Sequence, residues 1–179
     1  MSTNYASAPT EWSRFIRFIA QEDGAEHMGE PLDSQTDIGK LDGSAIKVRK
    51  LIGSTPWDVQ KSQETLTIKE VLCPLKPHEV NTIRCIGLNY SDHAKEANIP
   101  LPEQITLFMK PRTALTGPSK VIVPKCVQDE SSDYESELCV VIGKDCRDVR
   151  EEEALDYVLG YTASNDISAR KAQWETSQW

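Results

Sequence analysis

The sequence has no excess of basic residues and no run of lysine and arginine. It contains 20 basic and 28 acidic residues, which give a formal net charge of −8. Because binding to the phosphates of nucleic acids needs clustered Lys and Arg, this balance argues against a nucleic-acid-binding protein. The chain also has no apolar stretch that approaches the length of a membrane span, so no membrane-embedded protein is expected. What remains is a globular chain of 179 residues with enough apolar residues for a core.

Paired cysteines and a leader sequence are also missing. The five cysteines are odd in number and form no C-x-x-C pair, so neither a disulfide framework nor a zinc knuckle is indicated. Reduced thiols are the simplest interpretation. The first residues, MSTNYASAPTEW, have neither a basic region followed by an apolar one nor an Arg-rich amphipathic pattern. A cytosolic protein is therefore predicted, with the mitochondrion as the alternative.

The chain divides into two predicted parts, residues 1–78 and 79–179. The segment CPLKPHEVNT, with two prolines and few apolar residues, suits a linker near this boundary. Before it, RFIRFIAQEDGAEHMGEPLD predicts a hairpin in a small α+β or β-rich module. After it, TIRCIG, ITLFMK, KVIV, ELCVVI and YTASND predict strands, while SDHAKEAN, capped by Asn89 or Ser91, and the acidic segment from Val149 predict helices.

Two glutamates open the most strand-like segment, DYESELCVVIG. In an extended strand Glu135 and Glu137 project to one side, and three apolar side chains project to the other: Leu138, Val140 and Ile142. Carboxylates held close together repel each other unless a cation lies between them, and hard divalent ions such as Mg²⁺ take oxygen ligands. Asp166, at the end of YTASND, is placed to complete the set. The alternative is that both glutamates face solvent at a strand edge and oppose edge pairing.

A second candidate group lies in NYSDHAKE. His93 and Glu96 are three residues apart and therefore share one face of a helical turn, where the carboxylate can orient the imidazole and raise its basicity. This spacing is typical of a general-base dyad. The alternative is an exposed His–Glu pair on an ordinary helix.

Four segments together resemble consecutive blocks of the fumarylacetoacetate hydrolase family. These are RCIGLNYSDHAKE, FMKPRTALTGPSKVIVP, DYESELCVVIGKDCRDV and ALDYVLGYTASNDISARKAQ, which occur in the family's order and with similar spacing over about residues 80–179. The resemblance implies an α+β, β-rich fold: a small N-terminal domain followed by the first part of a mixed β-sandwich roll. It also implies a homodimer.

The resemblance further implies a site. Matched block by block, Glu135, Glu137 and Asp166 are the expected metal ligands, and the metal is expected to be Mg²⁺, with Mn²⁺ or Ca²⁺ as alternatives. His93 and Glu96 are the expected dyad that activates water or moves a proton. Three further residues correspond to positions where relatives contact substrate or shape the pocket: Lys110, Arg170 and Gln173. Salt bridging and capping are the alternative roles for these three.

The implied chemistry is that of a β-dicarbonyl or α-keto acid whose oxygens bind the metal, which stabilises a metal-bound enolate as a Lewis acid. The family uses this chemistry for C–C hydrolysis of acylpyruvates, decarboxylation of oxaloacetate and keto–enol tautomerisation. The G-L-N-Y-x-D-H-A wording is most similar to the group that contains acylpyruvate hydrolases and oxaloacetate tautomerases.

In the family, the S-A-R-x-x-Q block is followed by a lysine in a K-[GST]-F-D stretch and by further strands. The sequence ends at Trp179, before them, so a C-terminally truncated member with unpaired strand edges and an exposed apolar face is predicted. Two hypotheses follow. The chain is either a metal-dependent enzyme of the family or a catalytically inactive paralogue that binds or regulates a full-length member.

Overall fold

The first part of the chain forms a closed four-stranded antiparallel barrel. The structure, a computed structural model, describes residues 11–39, 45–118 and 120–175. The barrel consists of β1 (Ile16–Ala20), β2 (Glu26–Pro31), β3 (Lys47–Ile52) and β4 (Gln60–Leu72). The long strand β4 closes it, because its first half pairs with β3 and its second half with β1. The leader prediction rests on residues 1–10 and the chain end on Trp179, and both lie outside the described residues.

The predicted hairpin is confirmed as β1 and β2, which are joined by a tight turn. Gly24 has a φ of +69°, a conformation that L side chains rarely adopt. Side chains that alternate along the strands fill the barrel with one apolar cluster, whose buried members are Ile16, Phe18, Ala20, Ile46, Val48, Leu66 and Ile68. The described residues of 11–78 contain strands and one 3₁₀ turn at Pro77–Glu79, so they follow the β-rich alternative rather than the α+β one.

The second part consists of three two-stranded antiparallel sheets. Strand β5 (Ile83–Gly87) pairs with β6 (Thr106–Lys110), and helix α1 (Ser91–Glu96) lies between them in the chain. The short strands β7 (Ser132–Asp133) and β10 (Ser168–Ala169) pair, and β8 (Ser136–Ile142) pairs with β9 (Val158–Asn165). Helix α2 (Arg170–Glu175) follows β10 directly. No helix among the described residues is long and apolar enough to cross a membrane.

Two local predictions are wrong. KVIVP forms no strand in its described residues, 120–124, where Ile122 is 85% exposed and no strand lies alongside. The N-cap of α1 is Tyr90, which makes no capping hydrogen bond through its side chain. The helix predicted for the acidic segment is present, as a 3₁₀ helix at Glu151–Tyr157 with its glutamates in the first turn.

Strand β8 alternates as predicted, but its apolar side is not buried. Leu138, Val140 and Ile142 are 62%, 44% and 52% exposed, because this two-stranded sheet has no layer over that face in the described part of the chain. The sheet of β5 and β6 likewise exposes Leu107 and Met109. The β-rich fold is the one expected.

Candidate active site

The antiparallel pairing of β8 and β9 brings Glu135 and Asp166 together. Ser136 pairs with Asn165 at the end of the ladder, and the next residues on the two strands continue this register. The Asp166 backbone N–H donates to the Glu135 carbonyl over 2.9 Å, and the Glu135 N–H donates to the Asn165 side-chain oxygen over 3.1 Å. Two residues that are far apart in sequence therefore extend their carboxylates from the same end of one sheet.

Each of these two carboxylates contacts a basic side chain that the sequence analysis also singled out. Lys110 Nζ, at the end of β6, lies 2.5 Å from Asp166 Oδ1, and Arg170 Nη1 lies 2.6 Å from Glu135 Oε1. The carboxylates of Glu135 and Asp166 are only 15% and 11% exposed, so these ion pairs are shielded from water. Lys110 and Arg170 thus lie within the carboxylate group, in the salt bridges that were their alternative role.

Arg170 is held in place by the short ladder between β7 and β10. Its backbone N–H donates to the Ser131 carbonyl over 2.9 Å, which directs the side chain back across β7. The guanidinium donates to Asp133 Oδ2 over 3.0 Å, to Glu135 Oε1 and to Gln173 Oε1 over 3.1 Å. Burial acts to lower the pKa of Arg170, but the bonds to Glu135 and Asp133 outweigh it and raise that pKa. Gln173 therefore reaches the site through Arg170.

Helix α1 contributes His93, and its N-cap residue contributes Tyr90. His93 Nε2 lies 4.0 Å from Glu135 Oε1, and the Tyr90 hydroxyl accepts a hydrogen bond from the Leu138 N–H over 3.2 Å. Glu96 is exposed, and no hydrogen bond or ion pair links it to His93 in the described residues. The structure therefore places His93 against the carboxylates, with Glu135 rather than Glu96 as its acidic neighbour.

The electrostatics of the group are those of acids held close together. Burial raises the pKa of Glu137, and the negative charges of Glu135 and Asp166 raise it further, while a hydrogen bond with Tyr90 opposes the shift. The thiol of Cys85 on β5 adjoins the same charges. Burial and then the carboxylate of Asp166 raise the pKa of Cys85, and the Lys110 ammonium opposes this.

Whether these residues suit a divalent cation depends on their donors and on what those donors contact. No three His, Cys, Asp or Glu side chains in the described ranges are placed to hold a metal ion, because Arg170 and Lys110 occupy the carboxylates of Glu135 and Asp166. Two observations nevertheless fit a cation. Asp166 Oδ1 is buried and makes no hydrogen bond among the described residues, although Lys110 Nζ lies 2.5 Å away. Burial and the nearby carboxylates of Glu135 and Asp166 raise the pKa of Glu137. Three carboxylates are a donor set that suits Mg²⁺ once the ion pairs open.

Four residues near the group were not singled out from the sequence: Asp133, Tyr90, Asn165 and Cys85. Asp133 carried a usable signal, because D-x-E-x-E places it on the same strand face as Glu135 and Glu137. The Arg170 guanidinium lowers the pKa of Asp133. Tyr90 directly precedes α1, and nothing in its spacing indicates a contact with β8.

Comparison with known proteins adds to this geometry. Residues 82–179 match the family model described as fumarylacetoacetate (FAA) hydrolase C-terminal. A caffeoylpyruvate hydrolase of Neonothopanus nambi is 48% identical over 97% of this chain and 63% of its own length. The mitochondrial oxaloacetate tautomerase fahd2 of Xenopus laevis is 42% identical over 98% of this chain and 59% of its own length.

A solved structure shares the fold. The 2-hydroxyhepta-2,4-diene-1,7-dioate isomerase from Mycobacterium marinum superposes with a TM-score of 0.67 at 29% identity, over 93% of this chain and 58% of that one. The chain thus spans less than two thirds of the length of each of these three proteins.

Proposed function

Since the chain belongs to the fumarylacetoacetate hydrolase family, we propose that it acts on a small β-dicarbonyl or α-keto acid. The observation that carries this proposal is the meeting of three carboxylates, two basic side chains and one histidine at a single end of the β8–β9 sheet. Such a group combines charge stabilisation with a means of moving a proton. A cytosolic homodimer is part of the same proposal.

We propose that Glu135, Glu137 and Asp166 hold a divalent cation, Mg²⁺ in preference to Mn²⁺ or Ca²⁺. Such an ion supplies Lewis-acid stabilisation of negative charge on a substrate oxygen. The supporting observations are the meeting of Glu135 and Asp166 at one end of the sheet and the raised pKa of Glu137, since an added cation offsets the repulsion between these acids.

In this proposal the two basic side chains bind the acid group of the substrate. Arg170 and Lys110 neutralise Glu135 and Asp166 when nothing else does, and a guanidinium is well suited to hold a carboxylate through two parallel bonds. His93, a half-buried imidazole beside Glu135, moves a proton between substrate and water. Glu96 has no direct part in this scheme, whereas Gln173 orients Arg170.

The relatives narrow the substrate class but not the reaction. One is named for the hydrolysis of an acylpyruvate and another for the tautomerisation of oxaloacetate, both of which are α-keto acids. Hydrolytic C–C cleavage, decarboxylation and tautomerisation all develop negative charge on an oxygen next to the reacting carbon. The proposal therefore states only what these reactions share, which is stabilisation of negative charge on that oxygen.

The test is a thermal melt of the chain with and without Mg²⁺ plus oxalate, a small chelating mimic of the substrate. A ligand set present at 100 times its dissociation constant stabilises the folded state by about 2.7 kcal/mol, or roughly 5–10 °C for a chain of this size. We expect this shift in the parent and in Glu153→Gln, which changes an exposed glutamate, and none in Glu135→Gln. No shift in the parent, or the same shift in Glu135→Gln, would contradict the proposal.

A second function is favoured by the exposed apolar faces of the β5–β6 and β8–β9 sheets. A catalytically inactive chain that binds a longer member of the family and regulates it would cover these faces. Co-expression with such a member and size-exclusion chromatography separate the two functions. A mixed complex without turnover by this chain alone supports the second function, and separate elution argues against it.

A further inference from the structure

The most unusual charged residue outside the candidate active site is Arg17 on β1. Along this strand Ile16, Phe18 and Ala20 face the barrel core, so Arg17 faces outward. An outward position on a barrel is normally in water, yet Arg17 is only 9% exposed. It is covered by the chain that leaves β4 and by the loop of residues 115–117.

The buried guanidinium lacks the partners that burial normally requires. Nε and Nη1 of Arg17 are buried and make no hydrogen bond, and the carboxylate of Glu26 lies 3.6 Å away. Lys76 Nζ lies closer to that carboxylate, at 2.8 Å. Two cations therefore share one anion, and Arg17 has no second carboxylate partner among the described residues. Leaving buried charged donors without partners is costly.

Glu30 shows what a satisfied charge looks like in the same barrel. It is also 9% exposed, and it accepts bonds from the Ser13 backbone and hydroxyl at 2.7 and 2.9 Å and pairs with Lys61 at 2.7 Å. The barrel thus gives its buried acid three close partners, whereas its buried base has one carboxylate at 3.6 Å that it shares with Lys76. The contrast with Glu30 indicates that Arg17 can bind a partner from outside the chain.

Arg17 lines a cavity of about 170 Å³ between the barrel and the second part of the chain. Its other walls are mostly apolar: Leu72, Leu75, Pro77 and Leu115, with Cys73 and Gly117. A cavity of about 150 Å³ is large enough to hold benzene. The space therefore suits a molecule with a small apolar body and one negative end.

We propose that this cavity binds a short-chain aliphatic monocarboxylate. The carboxylate bonds to the guanidinium of Arg17 and balances the excess positive charge, and the alkyl chain packs against the leucines. An inorganic anion would leave the apolar walls without contacts. The cavity shares no residue with the carboxylate group around Glu135, so the inference does not depend on the proposed function.

The first test is binding of butyrate to the full chain, followed by calorimetry, with butyramide as the neutral molecule of the same shape. We expect saturable binding of butyrate and none of butyramide. Arg17→Leu should abolish it. This variant places an apolar side chain against a wall formed by leucines, and Glu26 keeps its ion pair with Lys76. Arg49→Leu changes an exposed arginine of the same barrel and should leave butyrate binding intact.

A second variant covers the case in which Arg17→Leu does not fold. A Cβ at Gly117 would be in ordinary contact with Cys73, so Gly117→Leu directs its side chain at the cavity wall and should block butyrate. No binding of butyrate to the parent, or binding to either folded variant as tight as to the parent, overturns the proposal. Neither variant should alter the response to Mg²⁺ plus oxalate, which separates this inference from the proposed function.

Cys73 provides an independent measurement, because iodoacetate is itself a small carboxylate. The Cys73 thiolate displaces iodide and forms a new S–C bond, and mass spectrometry locates the label. We expect the ratio of the iodoacetate rate to the iodoacetamide rate to be about tenfold higher at Cys73 than at the exposed Cys126, and to fall to the Cys126 ratio in Arg17→Leu. Equal ratios at both cysteines, or no reaction of Cys73 with either reagent, would overturn the inference.

Discussion

The ion pair between Arg170 and Glu135 should be a major stabilising contact of the second part when no divalent cation is present. Replacement of Arg170 by Met removes the donor at 2.6 Å from a carboxylate that is only 15% exposed. A charge-assisted bond in such a place is worth about 1.5–3 kcal/mol. The bond to Asp133 lies in solvent and adds little.

A double-mutant cycle measures the coupling free energy between Arg170 and Glu135. Arg170→Met, Glu135→Gln and the double variant are unfolded by urea in the presence of EDTA and followed by tryptophan fluorescence, for which Trp174 on α2 is a reporter in the same helix as Arg170. With a denaturant slope of about 2 kcal/mol per M, a coupling of 2 kcal/mol moves the midpoint by about 1 M.

The pair between Arg150 and Glu153 is the matched control, because its side chains are 67% and 43% exposed. Its cycle should give a coupling of only about 0.2–1 kcal/mol. If the coupling of Arg170 with Glu135 is no larger than that of this control, the contact does not stabilise the site and the reasoning from burial is refuted.

Two further predictions concern other contacts. Burial opposes the ionisation of Glu30, but the bonds from Lys61 and Ser13 outweigh burial and lower the pKa of Glu30 to about 2. The stability that this lowered pKa provides is fully present above the ordinary pKa of 4.5 and is lost as the pH falls toward 2. In thermal melts between pH 7 and pH 2.5, Glu30→Gln should therefore lower the melting temperature at pH 7. It should also reduce the fall of the melting temperature below pH 4.5, and an unchanged fall would contradict this. Tyr90→Phe removes the hydroxyl that accepts from the Leu138 N–H and should lower the free energy of unfolding, measured in urea, by about 0.5–1.5 kcal/mol. An unchanged free energy of unfolding would contradict this prediction.

The strand-like opening DYESEL could be predicted in detail because it depends on a local period. Alternation along β8 places Glu137 on the half-buried side and Leu138, Val140 and Ile142 on the opposite, exposed side. The convergence with Asp166 could be predicted from its place at the end of the strand-like YTASND and from the family resemblance, since no spacing in the sequence relates residues on two strands joined by a long connection. The roles of the three carboxylates of the site as metal ligands stay a prediction.

Other contacts could not be predicted because they depend on tertiary pairing. Arg170 and Glu135 are 35 residues apart and meet through a ladder of only two residues on each strand, which leaves no pattern in the sequence. KVIVP has the composition of a strand, but composition does not supply a neighbouring strand. The dyad of His93 and Glu96 followed helical spacing, whereas the side chain of His93 faces Glu135 across the site.

The closure of the barrel at β4 has a consequence for the order in which the molecule forms. Every ladder of the barrel lies within residues 16–72, so the barrel pairs with nothing that the ribosome makes later. Synthesis at about 5–20 residues per second leaves roughly 2–9 seconds between Leu72 and Leu115, longer than many small β domains need to fold. Arg17 therefore lies on the surface of an already folded barrel when the ribosome adds Leu115. The loop of residues 115–117 then packs over Arg17.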